Sequence, residues 1–215
     1  MQIYNTHRRA LAAHLISKVG ALLSDQGDFG WDPAECKCVY EGSNGSKCAV
    51  GLLMRDFDST YNLCPIGNLP KDNIRQIHND AAREVGSMDP FCFSPCWLRD
   101  DLSGSPDQEK FCELLRTIQA LHDNEAVAAD RDEQRRRPLR ARLVGDIYMR
   151  LGEILMPLGW KPEESGDQSN NWTEAPEATE VLALIRDREL RFTNSLLADN
   201  IKNIVEAYRG YALAR

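Results

Sequence analysis

Ser105-Pro106-Asp107-Gln108-Glu109-Lys110-Phe111-Cys112-Glu113-Leu114-Leu115-Arg116-Thr117-Ile118-Gln119-Ala120-Leu121-His122-Asp123 is the stretch whose reading decides the fold class. Ser105 is suited to an N-cap, Pro106 brings a helical φ to the first position, and Gln108 completes a capping box. Behind these signals Phe111, Leu114, Leu115, Ile118 and Leu121 recur at the helical period, which predicts an amphipathic helix with one buried face.

The same period recurs on both sides. Leu11, Leu15, Val19, Leu22 and Leu23 predict a helix over 7–24, N-capped by Thr6 and ended by Gly27 and Gly30. Pro70 opens another, carrying Ile74, Ile77, Ala81 and Val85 and closed by Gly86. Leu143, Ile147, Leu151, Ile154 and Leu155 define a helix that Pro157 and Gly159 terminate. Two more run through Val181, Leu184 and Ile185, and from Leu196 to Tyr208. Residues 36–41 read as a short strand turned by Gly42-Ser43-Asn44-Gly45, and 48–55 as a buried helix or strand, helix being preferred. The long interval 157–176 leaves room for a hairpin around Trp160 and Trp172. The expected fold is therefore mainly α, extending to α+β through a short hairpin.

At 123–137 the composition changes to alanine and acidic residues, then arginine. This shift divides the chain into a cysteine-containing core at 1–125, a charged connector at 126–137 and a helical unit at 138–215. The 215 residues are 42% hydrophobic and 27% charged, ordinary for a globular protein. A net charge of -7 argues against dominant non-specific binding to nucleic-acid phosphates. No run reaches the roughly 18 apolar residues of a membrane span, and the N-terminus lacks a signal peptide's apolar core, so a cytoplasmic protein with no membrane partner is expected.

Seven cysteines in a reducing compartment point to thiols or metal ligands more than to a disulfide framework. Cys48, after Gly45-Ser46-Lys47, is a candidate nucleophile, because a helix N-terminus and a neighbouring lysine both favour thiolate. His122 and Asp123 would then serve as base and orienting group, with His78 and Asp80 as the other candidates. Packing in a core is the commoner role for such a cysteine, so catalysis is not favoured. The same turn fails as a phosphate loop, since Glu41, Ser46 and Cys48 stand where glycine, glycine and a hydroxyl residue are needed. A zinc site would draw on Cys36, Cys38, Cys48, Cys64, Cys92, Cys96, Cys112, His78 and His122, with Cys36, Cys38, Cys92 and Cys96 first, but Cys36-x-Cys38 is tight and Cys92-x3-Cys96 lacks a matching pair. No resident metal or cofactor is expected. Arg135, Arg136, Arg137, Arg140 and Arg142 are the one basic concentration, able to face an acidic protein or nucleic acid. Acidic positions 163, 164, 167, 174 and 177 would oppose a phosphate track.

Cys38-Val39-Tyr40, Lys47-Cys48-Ala49-Val50-Gly51 and Leu121-His122-Asp123 with Ile118-Gln119 before it form a Cys-x-Tyr, Lys-Cys-Ala-Val-Gly, Leu-Gln-x-x-His-Asp order. In it the chain resembles uncharacterised small proteins of phages and bacterial mobile elements, over about residues 5–125. It departs from them by Ile118 for leucine and by Leu53-Met54-Arg55-Asp56 where that group often has Ile-Pro-Asp. The resemblance implies an accessory protein that binds host machinery stoichiometrically in the host cytoplasm, a bacterial defence complex being one such target. The alternatives are an enzyme centred on Cys48 and a nucleic-acid-binding regulator using the arginines.

Overall fold

The computed structural model describes residues 2–32, 37–42, 44–55, 58–62, 64–88, 106–131, 137–156 and 196–212. Five α-helices carry these segments: α1 (Gln2–Gln26), α2 (Lys71–Met88), α3 (Pro106–Arg131), α4 (Arg137–Leu155) and α5 (Leu196–Ala212). The chain is mainly α, as its periodicity predicts. The sheet among the described residues is one antiparallel pair, β1 (Trp31–Asp32) and β2 (Lys37–Cys38), with Trp31 opposite Cys38 and Asp32 opposite Lys37.

Long α1 is the spine. Leu11, Leu15, Ile16, Val19 and Leu23 are all buried, and α1 ends where Gly27, at φ 66°, donates its N–H to the Leu23 carbonyl at 2.9 Å. Along one side lies α4, close enough that a Cβ on Gly152 would stand 2.7 Å from the Ala13 carbonyl oxygen and from the Ser17 nitrogen. Helix α5 covers α3 and touches α1, while α2 packs on α1 through Glu84, whose carboxylate accepts from Lys18 at 2.6 Å and meets His14 Nε2 at 2.7 Å.

Polar ties fix these helices where apolar packing alone would let them slide. The Tyr208 hydroxyl donates to the Leu155 carbonyl at 2.9 Å, the Tyr148 hydroxyl donates to the Ile118 carbonyl, and the buried Arg140 Nε donates to the buried Glu125 at 2.8 Å. His78 Nε2 and the Tyr211 hydroxyl lie 3.1 Å apart between α2 and α5.

Two expectations are corrected. Residues 48–55 do not form an α-helix: they make one 3-10 turn at Gly51–Leu53 and then extend at Met54, where the Gln76 side chain of α2 accepts from Arg55 N–H at 3.2 Å and donates to the Leu53 carbonyl at 3.2 Å. Helix α2 runs past Gly86 to Met88. The proposed connector begins as helix, with α3 continuing to Arg131, and one hydrophobic core includes Leu11 and Leu115 from before it and Ile147 and Ile204 from after it. Helices α4 and α5 pack on α1 and α3. The expected hairpin near Trp160 and Trp172, and the helix through Val181, lie outside the described residues. Among the described residues no helix is long and apolar enough to cross a membrane.

Candidate functional site

The site is built around the turn between β2 and the 3-10 segment. Gly42 N–H bonds to the Ser46 carbonyl at 2.7 Å, Glu41 bridges to Lys47, and Gly45 takes φ 78° at the tip. Two glutamines clamp it from opposite helices. Gln26 of α1 donates to the Lys47 carbonyl at 2.8 Å and accepts from Lys47 N–H at 2.7 Å. Gln119 of α3 accepts from Val50 N–H at 3.0 Å and donates to Asp123. Phe29 is pinned as well, its carbonyl accepting from the Ser46 hydroxyl at 2.9 Å and from Arg137 at 3.1 Å.

This clamping carries β2 against α3, where Cys38 Sγ, a ring nitrogen of His122 and a carboxylate oxygen of Asp123 all fall within 4.8 Å of one another. The three motifs spread over 38–123 therefore meet at one place. The His122 side chain is 0% exposed and stands edge-on to the Phe29 ring, centroids 5.0 Å apart. Its Nδ1 lies 3.1 Å from Asp123 Oδ1, and its Nε2 has no hydrogen-bond partner among the described residues. Asp123, 40% exposed, opens the cluster to solvent.

The thiols differ from what nucleophilic chemistry asks. Burial, foremost, and the Asp123 charge and hydrogen bond raise the Cys38 thiol well above its ordinary value, against a smaller opposing pull from Arg137. Burial pushes the Cys48 thiol up to about 12, although the Gly51 N–H donates to its sulfur at 3.3 Å. At neutral pH both are protonated. The two features that would have favoured a Cys48 thiolate are absent from its surroundings: the helix start is a 3-10 turn, and the Lys47 ammonium lies 3.7 Å from Glu41. His78, the other candidate base, packs instead against Phe111 and Tyr211.

Of the arginine group, Arg137 turns inward and donates to Asp28 at 2.6 Å, Arg140 is the buried partner of Glu125, and Arg142 is exposed. Arg135 and Arg136 lie outside the described residues, as do Cys36, Cys92 and Cys96. Cys38, Cys48, Cys64 and Cys112 are free thiols. Cys38 and His122 both belong to the sequence's pool of thiol and imidazole ligands, and Asp123 stands beside His122 as its orienting group; what spacing does not single out is these three as the set that converges. No protein-family model, curated protein or solved structure matches the chain.

Proposed function

We propose that this is a phage-derived protein that acts by stoichiometric binding to a host protein, with bacterial defence complexes as the partner class. The observation that carries the choice of binding over catalysis is the place of Cys48: its side chain is buried, its sulfur accepts from Gly51, and it packs in the central core. A residue so enclosed cannot reach a substrate carbonyl without the turn opening. The resemblance supplies the host-binding context. The net charge of -7 fits a partner with a basic surface, where complementary potentials speed and orient docking.

Affinity capture from bacterial lysate, followed by native mass spectrometry and activity titration of the captured partner, tests the proposal. A fixed-ratio complex whose partner activity falls linearly to an equivalence point, unchanged by Cys48→Ala, is expected. Loss of partner activity at far less than one chain per partner, abolished by Cys48→Ala, would move the protein to the enzyme reading. A salt-sensitive complex with duplex DNA alone would move it to the regulator reading, against the internal pairing of Arg137 and Arg140.

A further inference from the structure

We propose that Cys38, His122 and Asp123 form a three-ligand site for one borderline-soft divalent cation, zinc in kind, with the fourth position open to water. This goes beyond the host-binding reading and stands or falls separately from it. The sulfur, nitrogen and oxygen donors come from two elements 84 and 85 residues apart in sequence, yet fall within 4.8 Å of one another, a spread that a small inward movement closes onto a metal at 2.0–2.3 Å from each ligand. Thiolate and imidazole together select zinc-like ions over magnesium or calcium, which take oxygen ligands.

Two further observations point to a ligand. His122 is fully buried, yet its Nε2 has no partner among the described residues, an arrangement that hydrogen-bonded cores seldom keep. Nδ1, 3.1 Å from Asp123 Oδ1, is the ring nitrogen beside the carboxylate, and a neutral imidazole can give that nitrogen to a metal while Nε2 carries the proton. The carboxylate is also held in place from outside the cluster: the Gln119 amide donates to Asp123 Oδ1 while its oxygen is fixed by Val50 N–H. Metal centres use such outer contacts to aim their ligands. The positive Arg137 nearby is neutralised by Asp28 at 2.6 Å. A divalent ion would balance one thiolate and one carboxylate, and binding would release the thiol proton to solvent.

The full-length chain, stripped with chelator, is titrated with cobalt(II) and then zinc(II). One cobalt per chain is expected, with visible d–d bands of a tetrahedral site and a thiolate-to-cobalt charge-transfer band, both erased by one equivalent of zinc. Cys38→Ser should remove the charge-transfer band, and Cys38→His should keep the d–d bands while losing it. Gln119→Ala should weaken affinity about 10-fold or more, as loss of an outer contact does. A chain with Cys36, Cys92 and Cys96 all changed to Ser should titrate as wild type. Absence of a charge-transfer band at saturating cobalt, its survival in Cys38→His, or its loss in the Cys36, Cys92 and Cys96 variant would each overturn the proposal.

Discussion

Gly51 has its Cα pressed against the Tyr40 carbonyl, so that any Cβ would overlap the Tyr40 oxygen. Gly51→Leu should therefore destabilise the fold by about 3 kcal/mol or more, because overpacking forces backbone to move. Cys48, three residues earlier, is a small side chain whose sulfur accepts only weak hydrogen bonds, that of Gly51 N–H at 3.3 Å among them, so Cys48→Ala should cost only about 1 kcal/mol. Urea unfolding of the two variants checks the contrast, and equal losses would contradict it. The same cysteine also sets a pH dependence. Its thiol rises from 9.0 unfolded to about 12 folded, so the folded state prefers the protonated form. That preference contributes its full stability below pH 9 and is lost as pH climbs through 12. Melting temperature should fall between pH 9 and 11 more steeply in wild type than in Cys48→Ala. Small residues around a cysteine were readable in the sequence as close packing. That Cys38 rather than Cys48 would meet His122 was not, since spacing along the chain carries no information about which strand face turns toward α3.

Helices α1 and α4 meet where glycine permits backbone contact, whereas Gly210 near the end of α5 has open space around its Cα. Gly152→Val should separate α1 from α4 and lower stability by about 2–3 kcal/mol. Gly210→Ala should instead raise it by up to about 1 kcal/mol, through helix propensity and a less disordered unfolded chain. Thermal melts of both variants decide it, and a destabilised Gly210→Ala would mean that this face of α5 is covered. At this scale the sequence was most legible. Helices α1, α2, α3, α4 and α5 all follow from apolar periodicity, since a 3.6-residue repeat is a local property of the chain. The 48–55 segment misled because a short apolar run suits helix, strand or turn alike, and the hydrogen bonds that hold its extended exit come from the Gln76 side chain of α2.

Across the whole molecule, one core joins residues from before and after the arginine-rich stretch, with α4 lying along α1 and α5 along α3. Equilibrium unfolding should accordingly show one transition, coincident by far-ultraviolet circular dichroism and by tryptophan fluorescence. Two separated transitions, or a stable fragment ending at residue 136, would restore the division into independent units. The arginines illustrate how composition alone misleads: Arg137 and Arg140 look like part of a basic surface, but the fold turns them onto Asp28 and Glu125. By itself the sequence determined the helical class and the apolar faces of the helices, because these depend on neighbours within a few turns of chain, whereas the ends of α1 and α2, at Gln2 and Met88, fall outside the limits that Thr6 and Gly86 suggest. Only the tertiary structure decided that the core is shared, that Arg137 and Arg140 are internally paired, and that Cys38, His122 and Asp123 converge. Each of these depends on which helix faces meet and at what height, and that is settled by the summed packing of distant side chains rather than by any local pattern.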